Sequence, residues 1–132
     1  QERNLIPDFT VGENVLLEKL NRSGMFVSYS KINAEARQWL NAVGLKVLPT
    51  VVVSELSPAQ MQLVETAKAL ALKSKILLLD EPTASLTPYE VEFLFGVLRK
   101  LRDSGVALLF VTHKLEEVFA LCDKVTVLRD GH

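Results

Sequence analysis

Residues 76–87 read ILLLDEPTASLT. Four apolar residues end in two adjacent carboxylates, Asp80 and Glu81, followed by a proline and a run of small polar residues. A short continuous apolar run is what a strand covered on both faces requires, so 75–80 reads as a buried strand of a parallel sheet. Ligands of such sheets bind beyond the carboxyl ends of the strands, and these two acids stand at such an end. Successive strand residues point to opposite sides. Asp80 is the last strand residue, however, and Glu81 begins the turn, so both can face one site. A carboxylate ending an apolar strand suits a magnesium ion, held directly or through water. The next glutamate could polarise an attacking water as a general base. The alternative reading is a strand, a polar turn and two solvated acids.

Working outward toward the C-terminus, TPYEVEFLFGVLRKLRDSG (87–105) reads as a helix. Thr87, Pro88 and Glu90 give its cap–proline–glutamate start and Gly105 its end. VALLFVTH (106–113) is a second buried strand that delivers His113 to the same carboxyl edge. A lone histidine there is commonly a satisfied loop residue; beside the Asp80–Glu81 pair it makes a polar constellation. KLEEVFALC (114–122) reads as a short helix, and KVTVLRDG (124–131) as a third strand closed by an Asp-Gly turn. Strand, helix, strand, helix, strand predicts a parallel or mostly parallel sheet.

The first half has a different texture. In LSPAQMQLVETAKALAL (56–72), Ser57 caps, Pro58 takes the first helical turn and Gln60 completes a capping box; Leu63, Ala67, Leu70 and Ala71 form the apolar face. A helix N-terminus suits an anion, although ordinary capping satisfies the same residues. In NAEARQWLNAVGL (33–45), Asn33 is placed to cap a helix whose apolar face is Ala36, Trp39, Leu40 and Val43, with Gly44 ending it. Thr10 with Glu13 is a further capping box, and a turn is expected at Ser23–Gly24. A helical first half on an α/β second half divides the chain into 1–74 and 75–132, with the seam near residues 72 to 76.

Composition narrows the class. The 132 residues are 48% hydrophobic and 23% charged with net charge −1, so no basic field points to nucleic acid. Cys122 is the single cysteine, which rules out an internal disulfide and fits a reducing compartment. The longest apolar run, VALLFV (106–111), is far short of the roughly 18 residues that span a bilayer. The chain opens on QERNLIPDF without a Met and reads as an entry into the middle of a longer one.

Taken in order, these motifs resemble the nucleotide-binding domain of the ATP-binding cassette (ABC) transporters along essentially the whole chain. LSPAQMQLVETAKAL is similar to the signature LSGGQ, with Ser57 and Gln60 kept. ILLLDEP resembles the Walker B strand and catalytic glutamate, TASLT the D-loop, FVTH the switch histidine, and Gln1 the Q-loop glutamine. LSPAQMQLVETAKAL, DEPTASLT and HKLEEVFALCDKVTVLRDG are phrased most like the first cassette of the double-cassette ribose, galactose and xylose importers. The resemblance implies an α/β, P-loop NTPase-like fold with a helical subdomain and a partial RecA-like core. It implies ATP and Mg2+ as ligands. Asp80 and Gln1 would hold the metal, Glu81 would be the base, His113 would contact the γ-phosphate, and Ser57 and Gln60 would address the ATP of a second, head-to-tail cassette. The implied partners are that cassette, integral membrane permease subunits and, indirectly, a sugar-binding protein. The implied location is peripheral, on the cytoplasmic side of the cell membrane, and Leu5, Ile6 and Phe9 would face either a partner helix or the chain's own core.

Three departures stand out. Pro58 and Ala59 replace the two signature glycines, limiting close backbone approach and removing an amide donor. Thr87 stands where most D-loops carry Asp. No stretch reads G-x-x-x-x-G-K followed by Ser or Thr, the loop that cradles phosphates; the expectation is that it lies upstream, in a protein of which this chain is a fragment. The competing readings are a regulatory module derived from a cassette and a chromosome-maintenance ATPase. The latter would carry a long coiled coil between Q-loop and signature, where this chain has only about 55 residues and no heptad run.

Overall fold

In the computed structural model, residues 5–22 and 28–128 are described. Gln1, the Ser23–Gly24 turn and the Asp130–Gly131 turn lie outside them. The chain first builds a small helical layer: α1 (Val11–Val15), α2 (Leu17–Arg22), α3 (Tyr29–Ala42) and α4 (Pro58–Ala71), with a 3-10 turn at Val53–Glu55. It then builds β1 (Ile76–Asp80), α5 (Pro88–Asp103), β2 (Ala107–Val111) and α6 (Leu115–Leu121).

Local chemistry places the helix starts. Thr10 with Glu13, Ser57 with Gln60 and Thr87 with Glu90 all form complete capping boxes, in which each residue's side-chain oxygen accepts from the other's free backbone N–H. Backbone and side-chain hydrogen bonds from Thr87 hold the Glu90 carboxyl below the usual 4.5. Gly44 and Gly105 follow α3 and α5 with φ of 71° and 94°, the left-handed conformation that closes a helix most cheaply without a Cβ.

α1, α3 and α4 pack on one another. Ala36, Leu40 and Val43 from α3 and Leu63, Val64, Ala67 and Ala71 from α4 are all buried, on the faces that the helical period assigns. α3 starts earlier than the sequence suggests. Its N-cap is Ser28, which makes no side-chain cap hydrogen bond, and Asn33 lies inside the helix. Asn33 Oδ1 instead packs against Gly12, so closely that a Cβ there would sit 2.8 Å from it. The segment before α1 is tied to the loop before the 3-10 turn by an antiparallel Thr10–Val52 bridge and by Val11 N–H donating to Val51 O at 2.8 Å. Asn14, fully buried, braces this segment: its Oδ1 accepts from Ile6 N at 2.8 Å, and its Nδ2 donates to the carbonyls of Ile6 and Thr10 at 3.0 Å. Of the apolar residues here, Leu5 is buried in the chain's own core and Phe9 is exposed.

β1 and β2 pair in parallel, Ile76 with Ala107 through Asp80 with Val111, and form the sheet of the described residues. The reading of both strands as covered on two faces is corrected by the structure. Leu79 and its register partner Phe110 lie on the face that α5 covers. Ile76, Leu78, Leu109 and Val111 are exposed on the other face, Ile76 to 68%. The third strand is also corrected: residues 124–128 form none, and Val125, Val127 and Leu128 are exposed. A strand exists only where a neighbouring edge accepts its hydrogen bonds, and the described sheet does not bring one to this segment. None of the described helices is long and apolar enough to cross a membrane.

Candidate functional site

The site is made by the two strand ends. Asp80 closes β1 and is exposed at the carboxyl edge. Glu81 extends the sheet by one hydrogen bond, its N–H donating to Val111 O at 2.9 Å. Its backbone then reverses at φ 44°, a conformation uncommon for a residue with a side chain. That reversal carries Glu81 off the alternation of the strand, and its Oε1 lies 2.7 Å from Nδ1 of His113. His113, reached from β2 by a two-residue step, is 70% exposed and Glu81 41%. Three residues chosen from the sequence, Asp80, Glu81 and His113, therefore share one edge, and two of them touch.

Ser57 and Gln60 are held elsewhere. Ser57 N–H donates to Gln60 Oε1 at 2.9 Å, and Gln60 N–H donates to Ser57 Oγ at 3.3 Å. A cleft of about 400 Å³ runs along α4, from Pro58 to Leu72 just past its end, and is walled opposite by β1 and the turn that follows it, Leu77 to Leu86. Pro58, Met61 and Gln62 line it with Asp80 and Glu81, but Ser57 and Gln60 do not. Gln1 lies outside the described residues. The described residues hold no group of three or more His, Cys, Asp or Glu that could cage a metal. A single exposed carboxylate nevertheless fits magnesium, which is bound through one or two carboxylates, several waters and substrate phosphates.

Sequence reasoning missed the polar cluster behind this edge. Glu117, only 7% exposed, accepts from Thr83 at 2.6 Å and from Thr112 at 3.0 Å, and pairs with Lys114 at 3.1 Å. Burial raises its carboxyl, but the hydrogen bonds from Thr83, Lys114 and Thr112 and the charge of Lys114 outweigh that and leave it below 4.5. Lys114 and Glu117 are three apart, which reads as a pair on a helix surface. Nothing local says that the carboxylate turns inward to a threonine 34 residues upstream. Near the end of α5, the cations Arg99, Lys100 and Arg102 take separate roles. Lys100 and Arg102 occupy the last turn, where cations complement the helix dipole. Arg99, in contrast, donates to Ala120 O at 3.0 Å and lies over the Phe95 ring. Cys122 is half-buried, and burial, then Asp123, pushes its thiol up.

Parallel strands joined through a helix, beside a helical layer that carries LSPAQ, give the mixed α/β fold of the P-loop NTPase class. The family model described as ABC transporter matches residues 1–84, and the chain belongs to that family. It is 50% identical over 131 residues to the ribose import ATP-binding protein RbsA 1 of Streptomyces avermitilis, covering 99% of this chain and 25% of that protein. It is 46% identical over 131 residues to the xylose import ATP-binding protein XylG of Moorella thermoacetica, covering 99% of this chain and 26% of that protein. The chain thus spans about a quarter of the length of the curated relatives it matches. Among solved structures, it is similar to a dimeric ATP-binding cassette in a post-hydrolysis state with ADP and Pi. That match has a TM-score of 0.73 at 30% identity and covers 91% of this chain and 53% of the cassette.

Proposed function

We propose that these residues belong to the ATP-hydrolysing subunit of a sugar importer, acting at the cytoplasmic face of the membrane. The observation that carries the reading is the 2.7 Å contact between Glu81 and His113 at the carboxyl edge of a parallel β1–β2 pair. ATP is the substrate and hydrolysis of its γ-phosphate the reaction. Residues 1–74 form the signature-bearing helical subdomain and 75–132 the part of the core that carries the reacting groups.

Asp80, with Gln1, would hold magnesium, which when bound would offset the charge of the phosphates. Glu81 accepts the proton of the attacking water or orients that water for in-line attack. His113 meets Glu81 through Nδ1 and turns its other ring nitrogen, Nε2, to the γ-phosphate, so one ring fixes the base relative to the group it works on. Ser57 and Gln60 address the nucleotide of a second cassette. The second cassette and membrane permease subunits are the direct partners, and a sugar-binding protein is an indirect one.

The test is steady-state Mg-ATP hydrolysis by the natural protein that carries this chain, beside its Glu81→Gln variant. Loss of a general base costs about 10²-fold or more in turnover, with ATP binding retained. Turnover at the parent rate in Glu81→Gln would remove the base assignment.

A further inference from the structure

Glu81 and His113 meet at the surface, where a contact between half-exposed groups competes with water and holds little by itself. The two turns that carry them are joined a second time, behind the site. Thr83 stands two residues after Glu81, and Thr112 immediately precedes His113. Glu117 Oε1 accepts from Thr83 Oγ1 at 2.6 Å, and its Oε2 accepts from Thr112 Oγ1 at 3.0 Å. The Thr112 hydroxyl in turn accepts from Lys114 N at 3.1 Å. Lys114 Nζ lies 3.1 Å from Glu117 Oε1 and 3.4 Å from Thr83 Oγ1. Each carboxylate oxygen thus serves a different turn.

We propose that Glu117 is a positioning residue that clamps the turn after β1 to the turn after β2 and so sets the distance between Glu81 and His113. The proposal rests on the hydrolytic reading of the site. A buried carboxylate is stable only while its donors are present. Charge-assisted hydrogen bonds are short and directional, so the two turns keep one relative geometry rather than sliding on the strand ends. A shift of segment 83–87, which resembles the D-loop, is accordingly transmitted to His113 through Glu117, with Lys114 Nζ, 3.5 Å from Thr83 O and 3.4 Å from its Oγ1, as a longer second link. An amide at position 117 cannot replace the carboxylate. It offers one acceptor oxygen, while the Thr112 hydroxyl, already accepting from Lys114 N, needs a second acceptor for its proton.

The experiment measures kcat and KM for Mg-ATP in the natural protein, with melting temperature alongside, for Glu117→Gln, Thr112→Val and Thr112→Ser, and with Glu81→Gln as reference. A misplacement of about 1 Å costs roughly 10²-fold. Glu117→Gln and Thr112→Val should therefore lose about 10- to 100-fold in kcat with KM for ATP nearly unchanged. Thr112→Ser, which keeps the hydroxyl, should restore most of the rate. Combining Glu117→Gln with Thr112→Val should cost no more than either alone, because both break the same link. Equal loss in Thr112→Ser and Thr112→Val, or loss of rate only in proportion to loss of folded protein, would overturn the clamp. Parent kcat in Glu117→Gln with Glu81→Gln inactive would overturn it while leaving the hydrolytic reading intact. Absence of turnover in the parent protein would overturn both.

Discussion

The geometry of the carboxyl edge depends on the layer beneath it, and Phe95 is the place to perturb that layer. Phe95 on α5 is 1% exposed, and its ring meets Phe110 of β2 edge-on, with centroids 5.9 Å apart and planes at 81°. The Arg99 guanidinium lies 5.9 Å from the same ring. Phe110 is the register partner of Leu79 and stands three residues before His113, so this contact sits directly under the site. Phe95→Leu removes the ring while keeping an apolar side chain of similar bulk. The lost edge-to-face contact is worth about 0.5–1.5 kcal/mol and the cation–π contact about 0.5–1 kcal/mol. With imperfect repacking, the variant should lose about 2–3 kcal/mol. Phe95→Ala should lose about 3–5 kcal/mol. The decisive assay is a double-mutant cycle with Phe110→Leu, read from urea midpoints at constant m. The rings should show about 0.5–1.5 kcal/mol of coupling, and Arg99→Gln should lower the cost of Phe95→Leu. If the two leucine variants add to within about 0.3 kcal/mol, the ring contact carries no energy of its own and α5 supports β2 by bulk alone.

Other perturbations probe separate parts of the argument. Gly105 has φ 94° and nothing within 4 Å of where a Cβ would stand. Gly105→Ala should therefore cost about 1–2 kcal/mol from backbone strain alone, and a variant as stable as the parent in urea would show that the turn after α5 adapts freely. The Glu117 carboxyl lies below its ordinary 4.5 in the fold, so its ionised form is favoured by folding. Its stabilisation is present above about pH 4.5 and is lost as the pH falls through the folded value. The stability gap between the parent and Glu117→Gln should accordingly narrow in acid denaturation as the pH drops below 4.5, and a gap that widens there would reverse the sign of this account.

What the sequence made legible follows the range of the interactions. The starts of α1, α4 and α5 were readable because a capping box is closed within four residues. The apolar faces of α3 and α4 were readable because the helical period is local. Asp80, Glu81 and His113 could be gathered at one edge because parallel pairing sends consecutive strand ends to the same side. The inward turn of Glu117 was not readable, since its partner Thr83 is 34 residues away. The start of α3 was missed for the same reason: Asn33 carries a capping side chain, but its place is fixed by packing against α1, beyond any local pattern.

The strands report something further. ILLL and ALLF are apolar at every position, including Ile76, Leu78 and Leu109, which are exposed in the described structure. A strand with one solvated face alternates apolar and polar residues, whereas these two do not. Their sequence therefore has the pattern of a sheet covered on both sides, and among the described residues α5 covers one of them. The similar solved cassette is nearly twice as long as the part that this chain matches. If the bare face is where further cassette residues pack, replacing Leu78 by Thr in the natural protein should destabilise it as a core substitution does, by about 1–3 kcal/mol, whereas a truly solvated position would change by less than about 0.5 kcal/mol. The size of that one change distinguishes an apolar run that encodes a buried strand from one that merely tolerates exposure.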